Sequence, residues 1–327
     1  MAPVASRTAS HRPLQAGAHL GARPARPGLL ARRRARLFYL WVSPWMLGFL
    51  VFHVGAMLFS LALSFMHWPV FGAPRFVGAE QYFRMVHDPL FWRALQVTAT
   101  FTLLNVPLSL VAGLAVAVLM NQRVRGTHWL CTVCFLPRAL TGISVAYLWT
   151  YIFNPQFGLM NRALGLFHIA GPEWLFSRTW VIPAFVIMDL WSSSGGMLTW
   201  LAALQDVPRS LYEVASLDGA GVLRKFFTIT LPMIPPIVFF NLIMSIIHSF
   251  EVFSNVYVMT AGGPGHASLS YVLYLFQEGF EAFHFGYASA LAWALFAIVI
   301  GLTLLVVRST TLWVYYEGEL SSGGKKA

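Results

Sequence analysis

Charge is scarce in this chain. Only 10% of its 327 residues are Asp, Glu, Lys or Arg, against 57% hydrophobic and 15% aromatic. A soluble globular domain is usually about a quarter charged, so this composition excludes one. Cysteine is nearly absent. Cys131 and Cys134 form a CxxC inside an apolar run, with no second pair. That excludes a disulfide scaffold and gives zinc or redox chemistry no support. At helical spacing the two read as small apolar side chains on one face, and no metal site is expected. There is no GxxxxGK[ST] phosphate loop and no GxSxG nucleophile turn. The short alternating segments of a transmembrane barrel and the inverted repeat of many secondary carriers are missing too.

What is present is a series of long apolar runs. A helix needs about 20 mostly apolar residues to cross the hydrocarbon core. Six stretches qualify, roughly Leu37–Phe65, Leu95–Met120, Trp129–Phe153, Trp180–Leu204, Ile234–Val258 and Tyr287–Val307. The expected fold class is therefore an all-α polytopic membrane protein with six transmembrane helices. The net charge of +10 does not imply nucleic acid once its location is considered. Eight arginines, from Arg7 to Arg36, precede the first span. With the N-terminus inside, sixteen Lys and Arg fall on the cytoplasmic side and five outside, with Arg138 in a span. This bias predicts N-in, C-in.

Residues 1–34 are rich in Ala, Arg, Pro and Gly, without apolar periodicity, and are expected to be a disordered basic cytoplasmic tail. Residues 35–310 form the membrane domain, and 311–327 a C-terminal cytoplasmic tail. The outer loops carry HWPVFGAPRFVG, NPQFGLMN and GGPGHASLS, which suit short amphipathic or re-entrant pieces.

The loop 205–233 stands apart. Pro208 suits the first turn of a helix, predicted over Ser210–Asp218. Leu211, Val214, Ala215 and Leu217 give it an apolar side. Gly219 is a natural stop. A second short helix is expected from Val222 towards Ile229, and Pro232 leads into the fifth span. The small residues Ala215, Ser216, Gly219, Ala220 and Gly221 would let another protein approach closely. The alternative is an amphipathic helix lying on headgroups, with Arg209 and Glu213 an i,i+4 pair.

Glu213-Val-Ala215, then Gly219, then Ile229-Thr-Leu231-Pro232 resembles the EAA motif of the inner-membrane permeases of ABC importers. Val214 stands where that family has Ala, adding bulk to the docking face. LFYLWVSPWMLGFLVF, FVGAEQYFRM, DPLFWRAL, LPRALTGISVAYLW, NPQFGLMN, GGPGHASLSYVLYLFQEGF and FGYASALAW are similar to the carbohydrate branch, the maltose and glycerol-phosphate type. The resemblance runs from about residue 37 to 307. It implies a type I importer permease (MetI-like) fold, with a permease core over about 91–307. It implies a heterodimer with a second permease and two copies of an ABC ATPase that carry ATP and Mg. It also implies an extracytoplasmic sugar-binding protein, a bacterial inner (cytoplasmic) membrane location, and no cofactor or catalysis on this chain. In that family the loop is the coupling helix that docks in a cleft of the ATPase, which assigns Glu213, Ala215, Asp218, Gly219 and Ala220 to coupling.

Polar groups inside spans are costly and face cavities or one another. In the fifth span Asn241, Ser245, His248, Ser249 and Asn255 fall near one face, with Glu251 at its edge. They fit either a hydrophilic path for sugar hydroxyls or hydrogen bonds between helices. The fourth span carries Asp189, Trp191, Ser192, Ser193 and Ser194 before Gly195-Gly196. Such a Gly pair loosens a helix, which is tolerated at membrane depth beside a cavity. Trp191 would stack on a sugar face or simply pack. Arg138 would snorkel or pair with an acid such as Asp189, and His53 reads as a residue satisfied between helices. The absence of Lys and Arg from 259–286 disfavours an anionic substrate. Two other classes compete. An ion-coupled carrier would use Asp189, His248 and Glu251 as a relay. An intramembrane serine hydrolase would pair the SSSGG segment with His248.

Overall fold

The computed structural model describes residues 29–68, 72–122, 127–140, 142–192 and 196–310. The chain divides into two units, Met1–Leu58 and Phe59–Ala327. In the first, α1 (Leu29–Phe49) runs into a wide π turn, Leu50–Gly55, and then α2 (Ala56–Ser64) begins. Helix α1 starts inside the segment expected to be disordered. Leu29, Leu30, Ala31 and the arginines that follow are all strong helix formers and extend the span backwards. Trp41 and Phe52 are about four-fifths exposed, as suits a helix surrounded by lipid. His53 stacks on Phe49 at 5.4 Å.

The second unit holds the remaining elements. Strands β1 (Met66–His67) and β2 (Arg75–Phe76) pair antiparallel, Met66 opposite Phe76. This four-residue hairpin reverses the chain between α2 and the next helix and leaves the fold class all-α. There follow α3 (Glu80–His87), α4 (Pro89–Met120), α5 (Thr127–Ala139), α6 (Gly142–Ile152) and α7 (Leu159–Leu166). Next come α8 (Val181–Ser192), α9 (Met197–Asp206), α10 (Arg209–Leu217), α11 (Val222–Lys225) and α12 (Leu231–Met233). The chain ends with α13 (Pro235–Phe250), α14 (Ser254–Met259), α15 (Tyr271–Phe276) and α16 (Phe285–Thr310).

Among the described residues, Leu37–Ser64, Pro89–Met120, Pro235–Met259 and Phe285–Ser309 are each long and apolar enough to cross a membrane. Helices α8 and α9, bent by 52° to one another, make a fifth span if taken together. The break falls where the Gly pair was noted, and Ser193–Gly195 lie outside the described residues. The expected third span is not one helix. It folds as α5 and α6, 13 and 11 residues long, each short of the roughly 20 needed. Pro137 sits in the last turn of α5, where its missing N–H and its ring disfavour continuation. Among the described residues four continuous spans and one bent pair meet the requirement of length and composition, which leaves the count of six unconfirmed.

Helix α4 is the axis of the second unit and packs against α8, α9, α13 and α15. It contributes to two cores. Phe91, Ala94 and Phe101 join Trp149, Phe153, Trp174, Tyr271 and Tyr287 in the larger. Further along, Ala117 joins Met197, Trp200, Leu204 and Ile234 in the smaller. Cys131 and Cys134, half-buried, pack against this second cluster. Gly113 lets α9 approach α4: a Cβ there would lie 3.1 Å from the Trp200 indole nitrogen. Tyr271, wholly buried, donates its hydroxyl to the Leu291 carbonyl at 2.8 Å, and its amide binds Thr98 Oγ1 at 2.9 Å. Those bonds tie α15 to both α4 and α16.

Candidate functional site

The 205–233 loop is a helix, a turn and a second helix. Pro208 has extended ψ of 128° and caps α10, which starts at Arg209. At the other end Gly219 takes φ of +72°. The Gly219 amide bonds the Ser216 carbonyl at 3.1 Å and the Ala220 amide bonds the Ala215 carbonyl at 2.9 Å. This is a Schellman ending, in which a left-handed residue lets the chain cover the last helical carbonyls. The second helix is shorter than expected. Helix α11 ends at Lys225 and a π turn, Phe226–Thr230, replaces its continuation. Lys225 Nζ donates to Ser216 Oγ at 2.7 Å, and Tyr212 shares a hydrogen bond with Thr230 at 2.9 Å. These bonds hold the two helices as one piece against the smaller core, which Tyr212 and Ile229 reach.

The outer surface of this piece has no partner among the described residues. Glu213, Asp218 and Gly219 are exposed, with Ala215 and Ala220 half-buried beside them. Val214, Leu217, Val222, Leu223 and Phe227 are all more than half exposed. The Arg209–Glu213 ion pair does not form. Among the described residues the ion pairs are Arg84–Glu278 and His284–Glu278.

The polar residues of the spans separate into two groups. Asn241, buried on α13, accepts from Thr199 Oγ1 at 3.1 Å and donates to the Ile237 carbonyl. Ser249 is also buried and lies 3.4 Å from Asn105 Nδ2. Both join helices. Ser245 and Asn255 are half-buried, while His248 and Glu251 are exposed. Asp189 pairs with Asn105, whose Nδ2 donates to it at 2.7 Å. The side chain of Arg138 lies outside the described residues. Ser192 donates weakly to the Met188 carbonyl at 3.5 Å, and Trp191 lies edge-on to Trp149 at 5.8 Å. Ser193 and Ser194 fall outside the described residues.

Asn105 was not singled out from the sequence, yet it links α4, α8 and α13. Its Oδ1, Thr102 Oγ1 and Trp149 Nε1 are buried without a hydrogen-bond partner. Unspent buried hydrogen-bonding capacity is uncommon and calls for an explanation. The available signal was an amide in the apolar run FTLLNVPLSL.

A second unforeseen cluster lies at the far end of α4. Asp88 caps that helix through the Leu90 amide at 2.9 Å. Its other oxygen accepts from the Tyr274 and Tyr287 hydroxyls, the latter at 2.6 Å. Burial works to raise the Asp88 pKa. The two hydroxyls and the Leu90 and Phe91 amides outweigh it and hold the carboxyl below its usual value. Arg84 lies over the Tyr287 ring at 4.2 Å.

Residues 106–313 match the family of binding-protein-dependent transport system inner membrane components. The chain belongs to this family. It is thus a multi-pass membrane transport component and not an enzyme. Among its relatives is the "Probable ABC transporter permease protein YesP" of Bacillus subtilis, 38% identical over 86% of this chain and 92% of that one. The "Trehalose/maltose transport system permease protein MalF" of Thermococcus litoralis is 33% identical over 85% and 95%. A bacterial alginate ABC importer shares the permease fold at a TM-score of 0.76 and 21% identity, over 86% of this chain and 98% of that chain. A second structure of such an importer, in complex with an alginate-loaded periplasmic protein, superposes with a TM-score of 0.74 at 21% identity, over 84% and 93%.

Proposed function

We propose that this permease forms half of the translocation path of an ATP-driven sugar importer in a bacterial inner membrane. It works in a heterodimer with a second permease, two ATPase copies that carry ATP and Mg, and an extracytoplasmic sugar-binding protein. Both termini lie in the cytoplasm, as the Lys and Arg bias argues. The observation that carries this reading is the exposed, internally braced helix–turn–helix at 209–230. Lone exposed apolar side chains are ordinary, but a contiguous apolar face rimmed by Glu213, Asp218 and Lys225 suits a protein partner. Glu213, Ala215, Asp218, Gly219 and Ala220 form the part that enters the ATPase cleft. A rigid piece seated on the smaller core transmits a push to α9 and α13, which share that core.

The substrate is a mono-, di- or oligosaccharide or glycerol-phosphate, because relatives named for trehalose/maltose and for sn-glycerol-3-phosphate transport match most of this chain. Asp189, Trp191, Ser192, Asn241, Ser245, His248 and Glu251 remain candidates for the path. The unpaired Asn105 and Trp149 atoms beside Asp189 and Trp191 support its lying there, since hydroxyls both donate and accept. Asn241 sits further along α13, bonded to Thr199.

The test is co-purification of tagged protein from its native membrane in mild detergent, with partners identified by mass spectrometry. Recovery of a second permease and an ATPase is expected. A homo-oligomer with no ATPase would overturn the assignment.

A further inference from the structure

The loop between α14 and α15 carries no Lys or Arg of its own, yet two arginines from elsewhere close on it. Its backbone is held in one shape. Ala261, Gly262, Gly265 and His266 all take positive φ, between +47° and +89°. Ser268 donates to the Gly263 carbonyl at 2.6 Å and shares a hydrogen bond with Thr260 at 2.8 Å. Left-handed residues other than glycine are uncommon, so Ala261 and His266 are kept there by the bonds around them.

Arg93, near the start of α4, donates Nε to the His266 carbonyl and Nη1 to Gln96 Oε1, each at 3.3 Å. Arg178, three residues before α8, lies against the adjoining residue: a Cβ on Gly265 would stand 2.6 Å from its Nη2. Two guanidinium groups thus reach consecutive residues of one loop. Neither has an acid partner among the described residues, where the ion pairs are Arg84–Glu278 and His284–Glu278. Like charges brought together repel, and an anion between them relieves that. The pairing also goes against the charge bias, since the outer side holds five of the 22 Lys and Arg and two of those five meet here.

Depth and surroundings select the anion. Both arginines stand where membrane-crossing segments begin, Pro89–Met120 and the bent α8–α9 pair, which is where a span meets the headgroups. Their sequence neighbours Trp92, Phe176 and Trp180 are 53%, 66% and 44% exposed. Exposed Trp at span ends marks the membrane–water boundary. At that level the abundant anion is a lipid phosphate, whose oxygens fit the planar fork of a guanidinium.

We propose that Arg93 and Arg178 bind the phosphate of an anionic phospholipid, of the phosphatidylglycerol class, in the outer leaflet. The rigid Gly265–His266 edge sets the spacing of the two forks, and glycine at 265 leaves room for Arg178. The proposal takes from the importer reading only the cytoplasmic placement of the termini.

The test uses the full chain in mild detergent with equal phosphatidylglycerol and phosphatidylcholine, followed by native mass spectrometry. Both lipids carry a phosphate, and only the first has a net charge. Wild type is expected to retain phosphatidylglycerol in preference. Retention should fall about fivefold in Arg93→Gln and about fivefold in Arg178→Gln. Arg178 is exposed, so its variant does not depend on refolding the core. Arg162→Gln, another exposed arginine of the outer side, should leave retention unchanged. Inorganic phosphate at the lipid's concentration should not displace it, because the acyl chains also hold the lipid in place. Equal retention of both lipids, retention indifferent to Arg93 and Arg178, or displacement by inorganic phosphate would overturn the site. So would unchanged lipid retention with loss of binding-protein capture in both variants, which would give the arginines to a protein carboxylate. ATPase recovery enters none of these readouts, so the importer reading stands or falls separately.

Discussion

The two ends of α4 and its neighbours are built on opposite terms. At the Asp88 end one carboxylate satisfies two tyrosine hydroxyls and a helix N-terminus, and the elements it joins are nearly 200 residues apart in sequence. At the 209–230 end every polar bond is local, and Leu217, Val222 and Leu223 are at least three-quarters exposed. The first end spends its side chains on holding the fold. The second keeps its shape with a few short-range bonds and leaves its surface for another molecule. Stability and coupling are thus assigned to different ends, and mutations should separate them.

The largest effect is expected at Asp88. Asp88→Ala strands two hydroxyls and uncaps α4, at a cost of about 3 kcal/mol, read as a lower Tm in nanodiscs. An unchanged Tm would erase the contrast between the ends. Gly219→Val comes next. Nothing lies within 4 Å of a Cβ there, so the cost is backbone strain of about 1–2 kcal/mol in the left-handed region. The loop alone should feel it: ATP-driven uptake by the reconstituted complex should fall while global Tm barely moves. Uptake at the wild-type rate would remove the coupling role from this turn. Tyr274→Phe deletes one of the Asp88 bonds and should cost about 1 kcal/mol, less than Asp88→Ala if the cluster acts through the carboxylate.

Acid should act on the Asp88 end. Asp88 has a folded pKa below its ordinary 3.8. Its contribution is therefore full above that value and is lost as pH falls through the folded pKa. Wild-type Tm should drop below about pH 4 towards that of Asp88→Asn, which would itself be flat over that step. Parallel curves would exclude Asp88 as the source. Smallest in stability is Leu217→Ser, expected within about 0.5 kcal/mol of wild type, yet it should reduce ATPase recovery on co-purification. Full recovery would show that the exposed apolar face is not the contact.

The sequence was legible where the signals are local. Pro208 and Gly219 bracket α10 because φ preferences act within one residue, and the long apolar runs mark spans because the bilayer sets their length. Pro137 and Gly142 were equally visible, but the run around them is mostly apolar and of span length, so composition concealed the break between α5 and α6. The polar face of α13 was read as one stripe. Asn241 and Ser249 instead face Thr199 and Asn105, because which neighbour occupies a helix face is decided by packing and not by periodicity. Asn105 itself was hidden for the same reason.

By itself the sequence determined that the chain lives in a membrane, where its long helices lie and where its exposed loop turns, since hydrophobicity, charge bias and glycine conformation all act at short range. Only the tertiary structure decided that Asp88 meets Tyr274 and Tyr287, that Asn105 meets Asp189, and that Trp149 Nε1 is buried without a hydrogen-bond partner. Those meetings depend on how α3, α4, α8, α15 and α16 pack, and a hydrogen bond across that packing leaves no periodic trace in the chain.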